Sequence, residues 1–257
     1  MTAPPVMLVV VAHPDDETFG TGSVIASAAA KGAHVVVCCA TRGEAGEDVS
    51  ETTSSPAELA AAREEELHAA ARVLGAARVV LLDFADSGME GDMPPNALAA
   101  VPVEDVVAAV TPVIEEIAPD VVVTIDPEWV NDHRDHIRIG DATTTAFHQV
   151  ASPGTRLYHW TLPRSVMDPW LDEMKTNGML DAYVDLELGR PDETITTVVD
   201  VWHLVDTRRA AIAQHRTQFG PFRGMSADLE RLTLGSDHYV RVVPPWNGGP
   251  VETSVID

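Results

Sequence analysis

Four short apolar runs rich in β-branched residues, separated by stretches of helical character, set the strongest limit on how this chain can fold. They are Val6–Ala12, His34–Ala40, Arg78–Leu82 and Val121–Ile125, with a fifth at Arg156–Thr161. Between them helices are expected over Gly22–Ala30, Ala57–Leu74, Val103–Ile117 (with a kink at Pro112) and His136–Val150. Strands with one wet face alternate polar and apolar residues, whereas parallel strands covered on both faces do not. The first four runs hardly alternate. The pattern therefore predicts an α/β protein: a Rossmann-like, mostly parallel sheet with helices on both faces.

The clearest helix lies between Pro56 and Gly75, where Ala, Leu and Glu dominate. Ser54 or Ser55 can cap its start, and Gly75 can end it. In the common doubly wound order 3-2-1-4, the first and fourth strands are neighbours. Their C-terminal ends flank the switch point where such sheets bind ligands. The chain's 257 residues suit a single domain spanning 1–257. Its C-terminal third, from about residue 160, is expected to extend the sheet and wall the pocket. That part carries an alternating run, Thr194–Val201, and a helix around Val205–Gln214, between Pro-rich and aromatic segments at Leu162–Trp170 and Pro244–Pro250.

Charge narrows the partners. A formal net charge of -23 disfavours phosphate backbones and anionic membrane surfaces, so neither nucleic acid nor membrane is an expected partner. A small molecule is expected instead, and a homo-oligomer is compatible with the composition. Cys38 and Cys39 are adjacent inside an apolar run. Neighbours on a strand point to opposite faces, so they read as buried thiols of a reduced, cytoplasmic protein. The first five residues lack the pattern of a secretory leader, and no stretch is apolar enough to span a bilayer.

Two motifs close the first and fourth strands. The first is Val11-Ala12-His13-Pro14-Asp15-Asp16-Glu17, and the second is His133-Arg134-Asp135-His136. Pro14 biases His13 to extended backbone. One turn beyond the strand can then bring His13 and Asp16 to the same side, and His136 would complete a set of three ligands. Catalytic zinc takes three protein ligands and leaves a fourth position to water, whose pKa falls toward neutrality. Asp15 is the natural base for that water, and His133 the natural donor to a developing oxyanion or leaving amine. Asp135 is best placed to orient an imidazole through its ring N–H. Zn²⁺ is the expected metal, with Fe²⁺ able to compete for nitrogen and oxygen ligands.

The first motif resembles the signature of the LmbE-like (PIG-L) zinc-dependent N-deacetylases. The resemblance continues through Thr41-Arg42-Gly43-Glu44-Ala45-Gly46-Glu47, Arg63-Glu64-Glu65-Glu66, Asp86-Ser87-Gly88-Met89, the second histidine motif, and His215-Arg216-Thr217-Gln218. The Asp86 block is similar to the branch acting on mycothiol precursors and conjugates. The resemblance implies hydrolysis of an N-acetyl group from an N-acetylglucosamine-type amino sugar or its conjugate. It matches His13, Asp16 and His136 to the metal ligands, Asp15 to the general base, and His133 to the group stabilising the tetrahedral intermediate.

Arg63 and Asp86 match positions that hold sugar hydroxyls. Read locally, Arg63 could instead pair with Glu66 on its own helix, and Asp86 could cap a turn before Gly88. Members of that branch commonly carry Gly-Gly-Tyr before the histidine pair, where this chain has Val130-Asn131-Asp132. Asn131 is the nearest polar substitute for the tyrosine that contacts the reacting carbonyl. His215 either caps its helix or lines the pocket. Two other functions compete: a metal-dependent amidase for a thiol or antibiotic conjugate, and a non-catalytic metal- or sugar-binding module.

Overall fold

The β-branched runs form strands because in the central ones nearly every side chain is buried, while the edge strand at Arg78–Leu81 is only half-buried. Strands β1 (Val6–Val11), β2 (His34–Cys39), β3 (Arg78–Leu81) and β4 (Val121–Ile125) are parallel, and all five residues of β4 are buried. The computed structural model describes residues 3–129, 133–178, 188–222 and 224–256. After β1 come a one-turn helix, α1 (Asp16–Phe19), and α2 (Gly22–Ala30). Next are α3 (Pro56–Leu74), α4 (Val103–Ile117), α5 (Arg134–Val150) and β5 (Arg156–Thr161). The remaining elements are α6 (Arg164–Thr176), β6 (Thr197–Asp200), α7 (Val205–Ile212), α8 (Ala227–Leu234) and β7 (Ser236–Val243).

The strands lie in one sheet in the order β3-β2-β1-β4-β5-β7-β6. This contains the expected 3-2-1-4 arrangement, with the reversal falling between β1 and β4. The two are joined in register, with Met7 beside Val121 and Val10 beside Thr124. Right-handed crossovers place α2 and α3 on one face and α4 and α5 on the other. One apolar core runs from Met7 and Val36 through Ile139 and Tyr158 to Tyr239 and Val255. Helix α3 begins at Pro56, where Ser55 Oγ accepts from Glu58 N at 3.3 Å, and ends on left-handed Gly75.

The C-terminal part extends the sheet as expected, with a strand inside Thr194–Val201 and a helix over Val205–Ile212, but it holds more than was expected. β7 runs antiparallel to both β5 and β6, and neither it nor helices α6 and α8 was anticipated. Pro163 and Pro169 argue against a helix in that stretch, since proline lacks the N–H of the helical ladder. The helix forms nonetheless, burying Val166, Met167 and Met174, with Met174 packed on Leu229 of α8. Helix α5 also starts earlier than expected, at Arg134 rather than His136, and that shift puts His133 in its N-cap.

Candidate metal and catalytic site

The chain turns sharply where β1 ends. Asp16 Oδ2 accepts from the backbone N–H of His13 at 2.8 Å and of Ala12 at 3.2 Å, folding the motif back on its own strand end. Asp15 between them takes φ 120° and ψ −33°, a region that side-chain-bearing residues rarely occupy. Two contacts hold it there. Glu17 Oε2 accepts from Asp15 N at 2.9 Å, and Arg63 Nη2 donates to Asp15 Oδ2 at 3.1 Å. Strain of this kind persists only where the surroundings over-determine it.

The neighbouring strand delivers the second motif to the same place. The rings of His13, His133 and His136 lie 4.5 to 5.3 Å apart between centroids. Asp16 bridges two of them: its Oδ2 is 3.5 Å from His13 Nδ1 and its Oδ1 is 3.1 Å from His136 Nε2. On the far side of the His13 ring, Nε2 is 3.2 Å from Asp135 Oδ2 and 3.4 Å from Asp86 Oδ1. Asp135 is wholly buried and also accepts from Ser87 N at 2.9 Å. His133 Nδ1 accepts from Asp135 N at 3.2 Å, which places the proton of the neutral ring on Nε2.

The charges are unbalanced. Asp15, Asp16, Asp86 and Asp135 converge here against one permanent cation, Arg63. Burial opposes a charged His13, yet hydrogen bonds to Asp135, Asp16 and Asp86 prevail and raise its pKa well above the ordinary value. Burial likewise opposes ionised Asp16, but His136 and His13 hold it well below the usual carboxylate range. Asp15 goes the other way: burial, with Asp16 beside it, outweighs Arg63 and pushes it up to about 6. His133 is pushed down to about 4 by burial and by the two neighbouring imidazoles.

A dication suits this donor set. Four donors about 2.0–2.1 Å from a zinc ion stand roughly 3.3 Å apart at tetrahedral angles. The 3.5 and 3.1 Å spacings from Asp16 to His13 and His136 bracket that value. With Nδ1 of His13 toward Asp16 and Nε2 toward Asp135, the ring has the carboxylate–histidine arrangement typical of metal ligands. Donor atoms of His13, His133 and His136 also lie within 4.8 Å of one another, as do those of His13, Asp86 and Asp135.

The structure decides several local questions. Arg63 does not pair with Glu66. Its guanidinium donates to Gly43 O at 2.7 Å and Pro14 O at 2.6 Å as well as to Asp15. Gly43 is required there, because a Cβ would stand 2.3 Å from Arg63 Cζ. Glu66 accepts instead from Thr217 N and Oγ1. Asp86 does close the turn to Gly88, at 2.8 Å, while also reaching His13 and accepting from Ala45 N. The His215 ring neither lines the pocket nor serves only as a cap: it sits buried, 2.8 Å from Glu17 Oε1. Asn131 lies outside the described residues. Glu17 was missed as a functional residue. It is completely buried, and only its place inside the motif hinted at a role.

The chain is an α/β protein with a mostly parallel sheet and a buried histidine–aspartate cluster at the switch point between its first and fourth strands. The PIG-L model, described as GlcNAc-PI de-N-acetylase, matches residues 8–147, more than half of the chain. The 1D-myo-inositol 2-acetamido-2-deoxy-alpha-D-glucopyranoside deacetylase of Rhodococcus jostii is 33% identical over 92% of this chain and 91% of its own length. The chain belongs to the PIG-L family. Among solved structures, the N,N'-diacetylchitobiose deacetylase of Pyrococcus horikoshii superposes with a TM-score of 0.65 at 20% identity, over 92% of this chain and 83% of that one. The 4-carboxy-2-hydroxymuconate hydratase of Pseudomonas putida KT2440 shares the fold at a TM-score of 0.62 and 20% identity, over 96% and 99% of the two chains. The fold is therefore common to more than one reaction, and the site must carry the assignment.

Proposed function

We propose that this protein is a metal-dependent N-deacetylase that hydrolyses the N-acetyl group of an N-acetylglucosamine-type sugar or its conjugate. The observation that carries this reading is geometric: Asp15, held at a strained φ of 120° by Glu17 and Arg63, stands beside the donor set of His13, Asp16 and His136. A pure binding module has no use for a strained carboxylate beside its ligands.

His13, Asp16 and His136 are the residues we assign to hold the ion, which we assign as Zn²⁺ with Fe²⁺ as a competitor. When bound, such an ion acts as a Lewis acid on the carbonyl and lowers the pKa of water beside it. Asp15 takes the proton from the attacking water and returns it to the departing amine nitrogen. His133, neutral and protonated on Nε2, donates to the oxygen that gains charge as water adds. Asp135 holds the His13 ring in orientation through Nε2. Arg63 holds Asp15, and the sugar is assigned to the side of Arg63 and Asp86. That wall is polar: besides those two it carries Glu44, whose Oε1 accepts from Asp86 N at 3.0 Å. No described helix is long and apolar enough to cross a membrane, and buried Cys38 and Cys39 fit a reducing, cytoplasmic setting. The reading treats residues 1–257 as one domain.

The test is release of primary amine from N-acetylglucosamine and its glycosides by the metal-loaded protein, with Asp15→Asn as the comparison. Release by the parent protein alone is expected. Equal release by both would remove Asp15 from the chemistry, and release by neither would remove the deacetylase reading.

A further inference from the structure

A cavity of about 200 Å³ opens beside the donor set, touching Asp16 and His136 but none of Asp15, Arg63, Asp86 or His133. Its walls are Trp160 and Leu162 at the end of β5, Met167 and Trp170 on α6, and Phe222 and Met225 before α8. Arg208 reaches the border with its charge already matched. It forms an ion pair with Asp237 at 2.7 Å, both side chains 2% exposed, and donates to the carbonyls of Thr18 and Phe19. Its guanidinium also lies over the Phe222 ring at 5.7 Å. Trp160 reaches inward because residue 20 is glycine: a Cβ there would come within 3.0 Å of the indole.

The lining also includes Thr233, Ser236 and His238 beside the paired Arg208 and Asp237, yet it is mainly apolar, and burying sugar hydroxyls against it without partners is costly. The position of the cavity indicates what it does fit. A reacting amide carbonyl carries two substituents, the nitrogen bound to the sugar and the acyl carbon. The polar wall of Arg63, Asp86 and Glu44 lies to one side of the donors, and the apolar cavity adjoins the Asp16 and His136 donors without touching that wall. A sugar on the polar side directs the acyl carbon into the cavity. A methyl group, about the size of a water molecule, fills little of a cavity of about 200 Å³.

We propose that this cavity is an acyl subsite, and that the protein is an N-deacylase taking a linear, uncharged acyl chain of about six carbons in preference to acetyl. This rests on the hydrolase reading above and deepens it. Water adds to the carbonyl carbon, the C–N bond breaks, and the products are a fatty carboxylate and the protonated amine of the sugar. Leu162, Trp170 and Met225 set the length that is accepted.

The experiment compares kcat/KM for N-acetyl-, N-butyryl-, N-hexanoyl- and N-decanoyl-glucosamine, using the same amine assay for all four. Burial of each added methylene gives up to about a fourfold gain, so the four added in hexanoyl set a ceiling of roughly 200-fold, and a gain of about tenfold or more over acetyl is expected. Leu162→Trp, and independently Met225→Trp, should lower the hexanoyl-to-acetyl ratio by about tenfold or more. A second readout needs no turnover: neutral hexanamide, but not acetamide, should saturably change the tryptophan fluorescence of the metal-free protein, and Trp170→Phe should diminish that change. Acetyl as the fastest substrate, with rates falling steadily as the chain lengthens, would overturn the proposal and leave the deacetylase reading standing. If no amide of any length is cleaved, the hydrolase reading fails, and absence of hexanamide binding then overturns the subsite as well.

Discussion

Replacing Asp15 by asparagine separates the chemistry of this site from its architecture. Asp15 sits at φ 120°, and asparagine shares with aspartate an enrichment at positive φ, so the turn should survive. The amide oxygen can still accept from Arg63, whose other donations to Gly43 O and Pro14 O at 2.7 and 2.6 Å are untouched. Exchanging a charged for a neutral acceptor costs about 1 kcal/mol, or roughly 2–4 °C in Tm for a chain of this size. Loss of the base should lower kcat by about 10²–10⁴, equivalent to roughly 2.7–5.5 kcal/mol of barrier. Bound metal, measured by elemental analysis, should stay stoichiometric. Alanine at the same position mixes two effects: it removes the base and also meets backbone strain of about 1–3 kcal/mol, so its Tm should fall several degrees further. A metal-loaded Asp15→Asn protein within tenfold of the parent rate would refute the base assignment.

Other expectations follow from the same geometry. His136→Ala should lose stoichiometric metal while keeping its fold; retention of tightly bound metal would remove His136 from the ligand set. Glu17→Ala leaves His215 Nε2 and the Asp15 N–H without their acceptor, so turnover should fall at least tenfold with metal retained. An unchanged kcat would mean that Glu17 does not hold the Asp15 turn. Burial pushes His159 and His238 down to about 4, from an ordinary value near 6.5. As pH falls below about 6.5 the unfolded chain takes up protons first, so stability is complete above that pH and lost toward pH 4. His159 alone should account for up to about 2 kcal/mol at pH 5, read as a smaller fall in Tm between pH 7 and 4.5 for His159→Gln than for the parent, and equal falls in the two proteins would contradict it. Arg208→Met leaves Asp237 buried without its cation, which should cost about 3–5 kcal/mol in denaturant unfolding. A loss under 1 kcal/mol would mean that Asp237 finds another partner.

Burial pattern and local spacing explain which features could be read in advance. Runs such as Val121–Ile125 show their two-sided burial as unbroken apolar sequence, and a parallel sheet follows from strands alternating with helices. His13 and Asp16 are three residues apart, so one turn joins them. Convergence of the two histidine motifs needed only the adjacency of the first and fourth strands. The C-terminal elements were harder, because their signals conflict. Helix α6 carries Pro169 within it, and it holds through packing of Met174 against Leu229 across the gap to α8.

Sequence by itself therefore determined the parallel half of the sheet, the two strand ends that meet, and the kinds of donor atom they bring. Tertiary structure decided which partner each buried charge takes. Arg63 has Glu66 one turn away along its own helix but pairs with Asp15, 48 residues distant, while Glu66 turns to Thr217. Glu17 and His215 are likewise brought together across 198 residues. Helical and strand periods record only whether a side chain faces in or out. The identity of a buried ion's neighbour, and the apolar cavity between Trp160 and Phe222, depend on distances fixed when separate elements pack.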